Sequence, residues 1–155
     1  MKIDTNKRGD SMKVAIGADH GGFELKEKVS EYLKSEQYEI IDFGTYSNES
    51  CDYNDVAKEV ASAVNNKDVE RGILICGTGI GMSIQANKIP GIRAALVHDL
   101  FTAKATRLHN DTNILAMGGR IIGDEVAKSI AKVWLDTEFS HEERHERRVE
   151  KLESK

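Results

Sequence analysis

Five short apolar runs punctuate the chain, at Val14 to Ile16, Ile40 to Ile41, Ile73 to Ile75, Ala94 to Val97 and Ile114 to Met117, and none alternates with polar residues. Strands with one solvated face alternate; strands covered on both faces, as in parallel sheets, do not. Between the runs, apolar residues recur at i, i+4 and i+7: Leu25, Val29, Tyr32 and Leu33; Val56, Val60, Ala63 and Val64; Phe101, Ala105 and Leu108; Val126, Ile130, Val133 and Trp134. Each set is the single apolar stripe with which a helix docks on a sheet. This alternation predicts an α/β fold, a Rossmann-like three-layer α/β/α sandwich whose five-stranded parallel sheet carries helices on both faces through right-handed crossovers. A single proline, Pro90, leaves few forced breaks, so short loops are expected.

The length of 155 residues fits one domain, expected over 12–155 with a helix at its C-terminal end, after a loose polar extension over 1–11 in which Met12 offers a second start. Lysine and arginine number 22 against 26 aspartates and glutamates, and the net charge of −4 gives no global attraction to nucleic acid or anionic lipid. Neither is expected as a partner. No apolar run approaches the ~18 residues of a membrane span. Cys51 and Cys76 lack the spacing of a disulfide framework or a zinc site, and no secretory stretch opens the chain. A reducing cytoplasm and no metal are the expectation.

Ligands of such sheets collect beyond the carboxyl ends of the strands, where loops enter helix N-termini. Asp19-His20-Gly21-Gly22 follows the first strand, Cys76-Gly77-Thr78-Gly79-Ile80-Gly81 the third, His98-Asp99 the fourth and Gly118-Gly119-Arg120 the fifth. The Gly77 to Gly81 turn offers backbone N–H groups at a helix N-terminus, which favours anions, and its lead residue Cys76 stands where that potential favours thiolate. The same turn is compatible with a merely tight connection and a buried small cysteine. A dinucleotide reading has Asp99 at 20 residues after Gly79 in its favour, but Met82 at the third glycine position and no room for a substrate domain against it. A P-loop fails for want of Gly-Lys-Ser/Thr. Asp19 has a plain reading as a helix cap, and His109 as a cation at a helix C-terminus. His109-Asn110-Asp111 closes the fourth helix and so points to the opposite edge of the sheet unless a second subunit is adjacent. In the final segment Arg144 and Arg148 lie one helical turn apart, a pair suited to a phosphate, although a solvated charged helix reads similarly. With Val149 and Leu152 as its apolar content, that helix calls for a neighbouring chain.

Gly17 to Gly22, Ile75 to Gly81, Ala86-Asn87-Lys88, His109-Asn110-Asp111-Thr112-Asn113 and Arg144-His145-Glu146-Arg147-Arg148-Val149 together resemble the ribose-5-phosphate isomerase type B family, also called the ribose/galactose isomerase family. The resemblance runs from about Met12 to Leu152 with the motifs in the same order. It implies an enzyme that interconverts D-ribose 5-phosphate and D-ribulose 5-phosphate through an enediolate, in the non-oxidative branch of the pentose phosphate pathway, with no metal or other cofactor. By the same resemblance Cys76 is the base that shuttles the proton between C2 and C1, the N–H groups of Gly77, Thr78, Gly79, Ile80 and Gly81 hold the developing charge, and His109 assists ring opening with Thr78 nearby. Asp19 and Asn110 then bind sugar oxygens, His20, Arg120, Arg144 and Arg148 the phosphate, and Tyr53 lines the pocket. A second branch of the family carries glutamate at the position of Met82 and lacks the cysteine, so this chain is similar to the cysteine users. The resemblance further implies a homo-oligomer, a dimer or tetramer, with each site built from two chains. Departures are the residues before Met12 and a slightly longer spacing from Phe139 to Arg144. A six-carbon sugar 6-phosphate, galactose or allose 6-phosphate, is the alternative substrate, since one hydroxymethylene needs only a deeper pocket. A non-catalytic nucleotide- or phosphate-binding module is the alternative outside enzymes.

Overall fold

The computed structural model describes residues 11–154. The expected extension over 1–11 therefore lies, except for Ser11, outside the described residues. Along the chain run β1 (Lys13–Ala18), α1 (Phe23–Ser35), β2 (Glu39–Asp42), α2 (Tyr53–Asn65), β3 (Arg71–Cys76), α3 (Ile80–Asn87), β4 (Ala94–Leu96), α4 (Leu100–Asn110), β5 (Ile114–Gly118), α5 (Asp124–Asp136) and α6 (Glu143–Glu153). The strands form one sheet in the order β2-β1-β3-β5-β4, every neighbouring pair parallel. The five apolar runs are these five strands. All residues of β3 and β5 are buried, as expected of strands covered on both faces.

The steps β1 to β2 and β4 to β5 run one way along the sheet, and β2 to β3 and β3 to β4 the other. Right-handed crossovers then put α1 and α4 on one face and α2 and α3 on the other. Strand side chains alternate accordingly. Val14, Ile16, Ile73, Ile75, Leu115 and Met117 form one core with Leu25, Val29 and Leu33 of α1, Ala103 of α4, and Ile130 and Trp134 of α5. Ala15, Leu74, Cys76 and Ile114 face the other, with Val60 and Val64 of α2 and Met82 and Ala86 of α3.

The stripe expected on the fourth helix is corrected. Phe101 is 80% exposed, and α4 buries Ala103, Thr106 and Arg107 instead. The reason is hydrogen bonding: the Arg107 guanidinium donates to the carbonyls of Thr137 (3.0 Å) and Thr112 (2.6 Å) and to the Asp111 carboxylate (2.8 Å). A charged group so satisfied can be buried where spacing alone places an apolar one. Val126 of α5 is likewise exposed. The C-terminal helix α6 forms as expected, packs against α4, and leaves Leu152 exposed.

Candidate active site

Between the end of β3 and the start of α3 the chain must reverse within three residues, and Gly79 does so with φ of 79°. A Cβ there would stand 2.8 and 2.9 Å from the carbonyl carbon and oxygen of Met117, so the position takes glycine for space as well as for conformation. Inside this turn Cys76 is 5% exposed, and its Sγ accepts the Gly79 N–H at 3.1 Å. The sulfur thereby satisfies the Gly79 donor, and the first turn of α3 begins at the next residue. Thr78 is exposed beside it, and its Oγ1 accepts the Ile80 N–H at 3.3 Å. Tyr53 borders the turn, its ring 2.7 Å from where a Cβ on Gly81 would be.

Loops from β1 and β5 close on the same turn. Asp19 is 7% exposed; its N–H donates to the Ile75 carbonyl (3.3 Å) and its Oδ1 accepts the Gly21 N–H (2.9 Å). It does not cap α1, whose N-cap is Gly22 without a side-chain bond. The carboxylate is therefore held at the strand ends by its own loop. His20 accepts the Cys51 N–H on Nδ1 at 3.3 Å. From β5, the N–H of Gly119 donates to the Cys76 carbonyl (2.8 Å) and that of Arg120 to the Gly77 carbonyl (3.0 Å), while Arg120 Nη1 lies 3.1 Å from where a Cβ on Gly77 would be. One chain thus brings together Asp19, His20, Cys76, Gly77, Thr78, Gly79, Ile80, Gly81, Arg120 and Tyr53.

His109, Asn110, Arg144 and Arg148 are elsewhere. Helix α4 returns antiparallel to the strands, and its 11 residues span about 16 Å, so its C-terminus lies at the opposite edge of the sheet. There the His109 ring stacks on that of His145 with centroids 4.6 Å apart. His145 is 5% exposed, with Nδ1 2.6 Å from Ser140 Oγ. Its pKa is held below the ordinary histidine value by desolvation; Glu142 opposes this, and the positive charges of Arg144, His109 and Arg148 reinforce it. Arg144 donates from Nε to Glu142 at 2.9 Å, and both arginines are exposed. Arg93 ties this edge together, donating to the Asn110 carbonyl (3.1 Å) and the Glu153 carboxylate (2.6 Å) and so joining the ends of α4 and α6. Arg144 and Arg148 thus lie close to the two histidines, with Glu142 among them as a counter-charge.

The sequence carries no signal for two further histidine contacts: His145 meets the His109 ring, and His98, just beyond β4, accepts the Gly118 N–H. Asp99 serves as the N-cap of α4: its Oδ1 accepts the Thr102 N–H (2.7 Å) and its Oδ2 the Thr102 hydroxyl (2.8 Å), bonds that hold its pKa below the usual carboxylate value. Among the described residues no group of three or more His, Cys, Asp or Glu is arranged to hold a metal ion, and no helix is long and apolar enough to cross a membrane. A band of exposed apolar side chains, Ile80 and Ile84 of α3, Leu96 of β4, and Leu100 and Phe101 of α4, runs along the β4 edge.

The chain is similar to known proteins over most of its length. The family model described as Ribose/Galactose Isomerase matches residues 14–152. The ribose-5-P isomerase B of Listeria innocua is 50% identical over 83% of this chain and 87% of its own, and the ribose-5-phosphate isomerase B of Escherichia coli 47% identical over 90% and 93%. The solved structure of the ribose-5-phosphate isomerase B of Clostridium thermocellum superposes with a TM-score of 0.90 at 51% identity, covering 92% of this chain and 95% of that one.

Proposed function

The chain belongs to the ribose/galactose isomerase family, and from that premise we propose that it interconverts D-ribose 5-phosphate and D-ribulose 5-phosphate through an enediolate. The observation that carries the reading is the Cys76 sulfur at the sheet edge, facing an N–H donor at 3.1 Å and set among Asp19, His20 and Arg120. Such an isomerase moves one proton between neighbouring carbons and stabilises one oxyanion, and these groups suit both tasks.

In the proposed sequence His109 delivers a proton to the ring oxygen as its bond to C1 breaks, while the C1 hydroxyl releases its proton to solvent and becomes the carbonyl of the open-chain aldehyde. Cys76, as thiolate, takes the proton from C2; the C–H pair forms the C1–C2 double bond and the charge passes to O1, where the N–H groups of Gly77 to Gly81 hold it. Oriented donors of this kind contribute ~3–4 kcal/mol to the barrier. A proton passes from the C2 hydroxyl to O1, and the thiol returns its proton to C1, leaving the ketose. Asp19 and Asn110 orient sugar hydroxyls. His20, Arg120, Arg144 and Arg148 take the phosphate, and Thr78 and Tyr53 border the sugar. No step calls for a metal or an organic cofactor.

His109 and the arginines of α6 lie a helix length from Cys76 in the same chain, so the proposed site is completed by a second copy. The apolar band along the β4 edge supports a homodimer as the minimal unit. The reading places the protein in the cytoplasm, where free thiols persist, with sugar phosphates rather than nucleic acid or membrane as its partners.

The test is a side-by-side isomerase assay on ribose 5-phosphate, allose 6-phosphate and galactose 6-phosphate with no added metal. Turnover greatest on the pentose is expected; a hexose preference replaces the substrate, and binding without turnover on any of them replaces the activity. Sharing of the site is tested by mixing Cys76→Ala with His109→Ala protein. Random reassociation gives about one quarter intact sites, and activity no higher than that of either parent refutes a two-chain site.

A further inference from the structure

The His98 imidazole lies at the point where the sheet runs out of backbone partners. β4 pairs with β5 as far as Leu96 opposite Ala116, and the Val97 N–H still donates to the Ala116 carbonyl at 3.0 Å. Beyond that the chain turns away so that Asp99 can cap α4. Gly118, the last residue of β5, is buried and in register with Cys76 of β3, but on its other side β4 has already ended and offers its N–H no acceptor. His98 supplies the acceptor: its Nε2 takes the Gly118 N–H at 2.9 Å. A peptide N–H only donates, so Nε2 is the acceptor in this bond.

What hangs from Gly118 makes this bond matter. Its carbonyl accepts the N–H groups of Ile121 (3.0 Å) and Ile122 (3.3 Å), closing the turn that contains Gly119 and Arg120. Through that turn Gly119 donates to the Cys76 carbonyl and Arg120 to that of Gly77. The Gly118 backbone also lies directly on Thr78, where an added Cβ would stand 2.8 Å from the Thr78 carbonyl carbon and oxygen. A shift at Gly118 therefore moves the Cys76 backbone, the Thr78 segment of the cradle and the root of Arg120 together.

We infer that His98 is a positioning residue for the isomerase reaction, its imidazole standing in for the missing strand and fixing the Gly118–Arg120 turn that aligns Cys76 with its oxyanion donors. It touches no reacting group and acts through hydrogen-bond acceptance alone. The inference rests on the isomerase reading for its effect on turnover; the hydrogen bond is measured separately.

Three proteins test it: His98→Leu, which removes the acceptor; His98→Ala, which removes it without added apolar bulk; and His98→Gln, whose side-chain carbonyl keeps one. Expected on ribose 5-phosphate is a fall in kcat of about tenfold in the first two, larger than the accompanying rise in KM. The glutamine protein recovers to within about threefold of the parent. Amide exchange at Gly118, followed by NMR, quickens in the leucine and alanine proteins and stays near the parent rate in the glutamine protein. Equal turnover in all three variants, or unchanged Gly118 exchange on loss of the acceptor, overturns the assignment. A parent protein that converts none of the aldose phosphates instead refutes the isomerase reading, and Gly118 exchange still decides what His98 holds.

Discussion

Replacing Asp42 by asparagine will destabilise the protein more than replacing Lys26 by methionine, although both substitutions break the same ion pair. The Lys26 side chain is 0% exposed, with Nζ 2.8 and 2.7 Å from the two Asp42 oxygens and 3.1 Å from Glu27. The Asp42 side chain is 31% exposed, and its Oδ1 also accepts the Gly44 N–H at 2.7 Å. Asp42→Asn keeps the shape and the acceptor for Gly44 but leaves an ammonium buried, its remaining partner the half-exposed Glu27. Breaking a buried pair from one side costs about 3–5 kcal/mol, and the surviving glutamate reduces this to roughly 2–4. Lys26→Met removes the buried charge itself and fills nearly the same volume. The carboxylate left behind turns to water and to Gly44, so the cost is about 1–2 kcal/mol, of which about 0.5–1 is lost attraction to the Phe23 and Tyr46 rings. Urea unfolding followed by circular dichroism measures both variants, with equal m-values showing that the comparison is sound. If Lys26→Met is the costlier, or the two agree within about 0.5 kcal/mol, the buried ammonium does not carry the desolvation penalty and the reasoning fails.

Cys76→Ala is expected to lower isomerase turnover at least a hundredfold, roughly the lower end of what a positioned base supplies, while calorimetric affinity for ribose 5-phosphate stays nearly unchanged; retained turnover removes Cys76 as the proton carrier. Arg144→Ala loses a charge-assisted bond of about 1.5–3 kcal/mol and so weakens ribose 5-phosphate binding at least about tenfold, leaving unphosphorylated ribose unaffected; equal weakening of both sugars removes Arg144 from the phosphate contact. His145 will titrate below ~6.5 by NMR. Because its folded-state pKa is lowered, the unfolded chain takes up that proton first. The stability conferred is complete above ~6.5 and declines as pH falls from there to the folded value. Saturating inorganic phosphate will raise the His145 pKa, and a titration indifferent to phosphate denies the basic cluster an anion-binding role.

The architecture was legible because strands buried on both faces and helices with one stripe are distinct patterns, and both recur along this chain. The fourth helix was the exception. Of its apolar positions Phe101 points outward and Ala105 and Leu108 are only half-buried, while a buried arginine occupies the inner face. That inversion depends on carbonyls of Thr112 and Thr137, which folding brings within reach and no helical period encodes. The strand-end half of the site was legible by position: Asp19, Cys76 and Arg120 follow strands, and the general rule for α/β sheets sends them to one edge. His98 and His145 were not, because each acquires its part through a partner in another element, Gly118 in one case and His109 in the other. Lys26 is the sharpest instance, a lysine of α1 whose complete burial follows from Asp42 on β2.

A division of the candidate residues follows from the topology itself. Groups on loops after strands collect at one edge; a group at the end of a helix returning from that edge is carried about 16 Å away by α4 and cannot be brought back without unwinding it. A phosphorylated pentose is much shorter than that helix, so Cys76 and His109 of one chain cannot both act on one molecule. In the proposed dimer a two-fold axis perpendicular to the strands reverses the second sheet, setting the helix-end edge of one copy beside the strand-end edge of the other. The exposed band on α3, β4 and α4 lies on the side of the sheet between these two edges where such a contact also covers the open edge of β4. The same contact that satisfies the apolar surface then assembles the base, the ring-opening acid and the anion cluster, so separation of the copies should remove catalysis before it unfolds either chain.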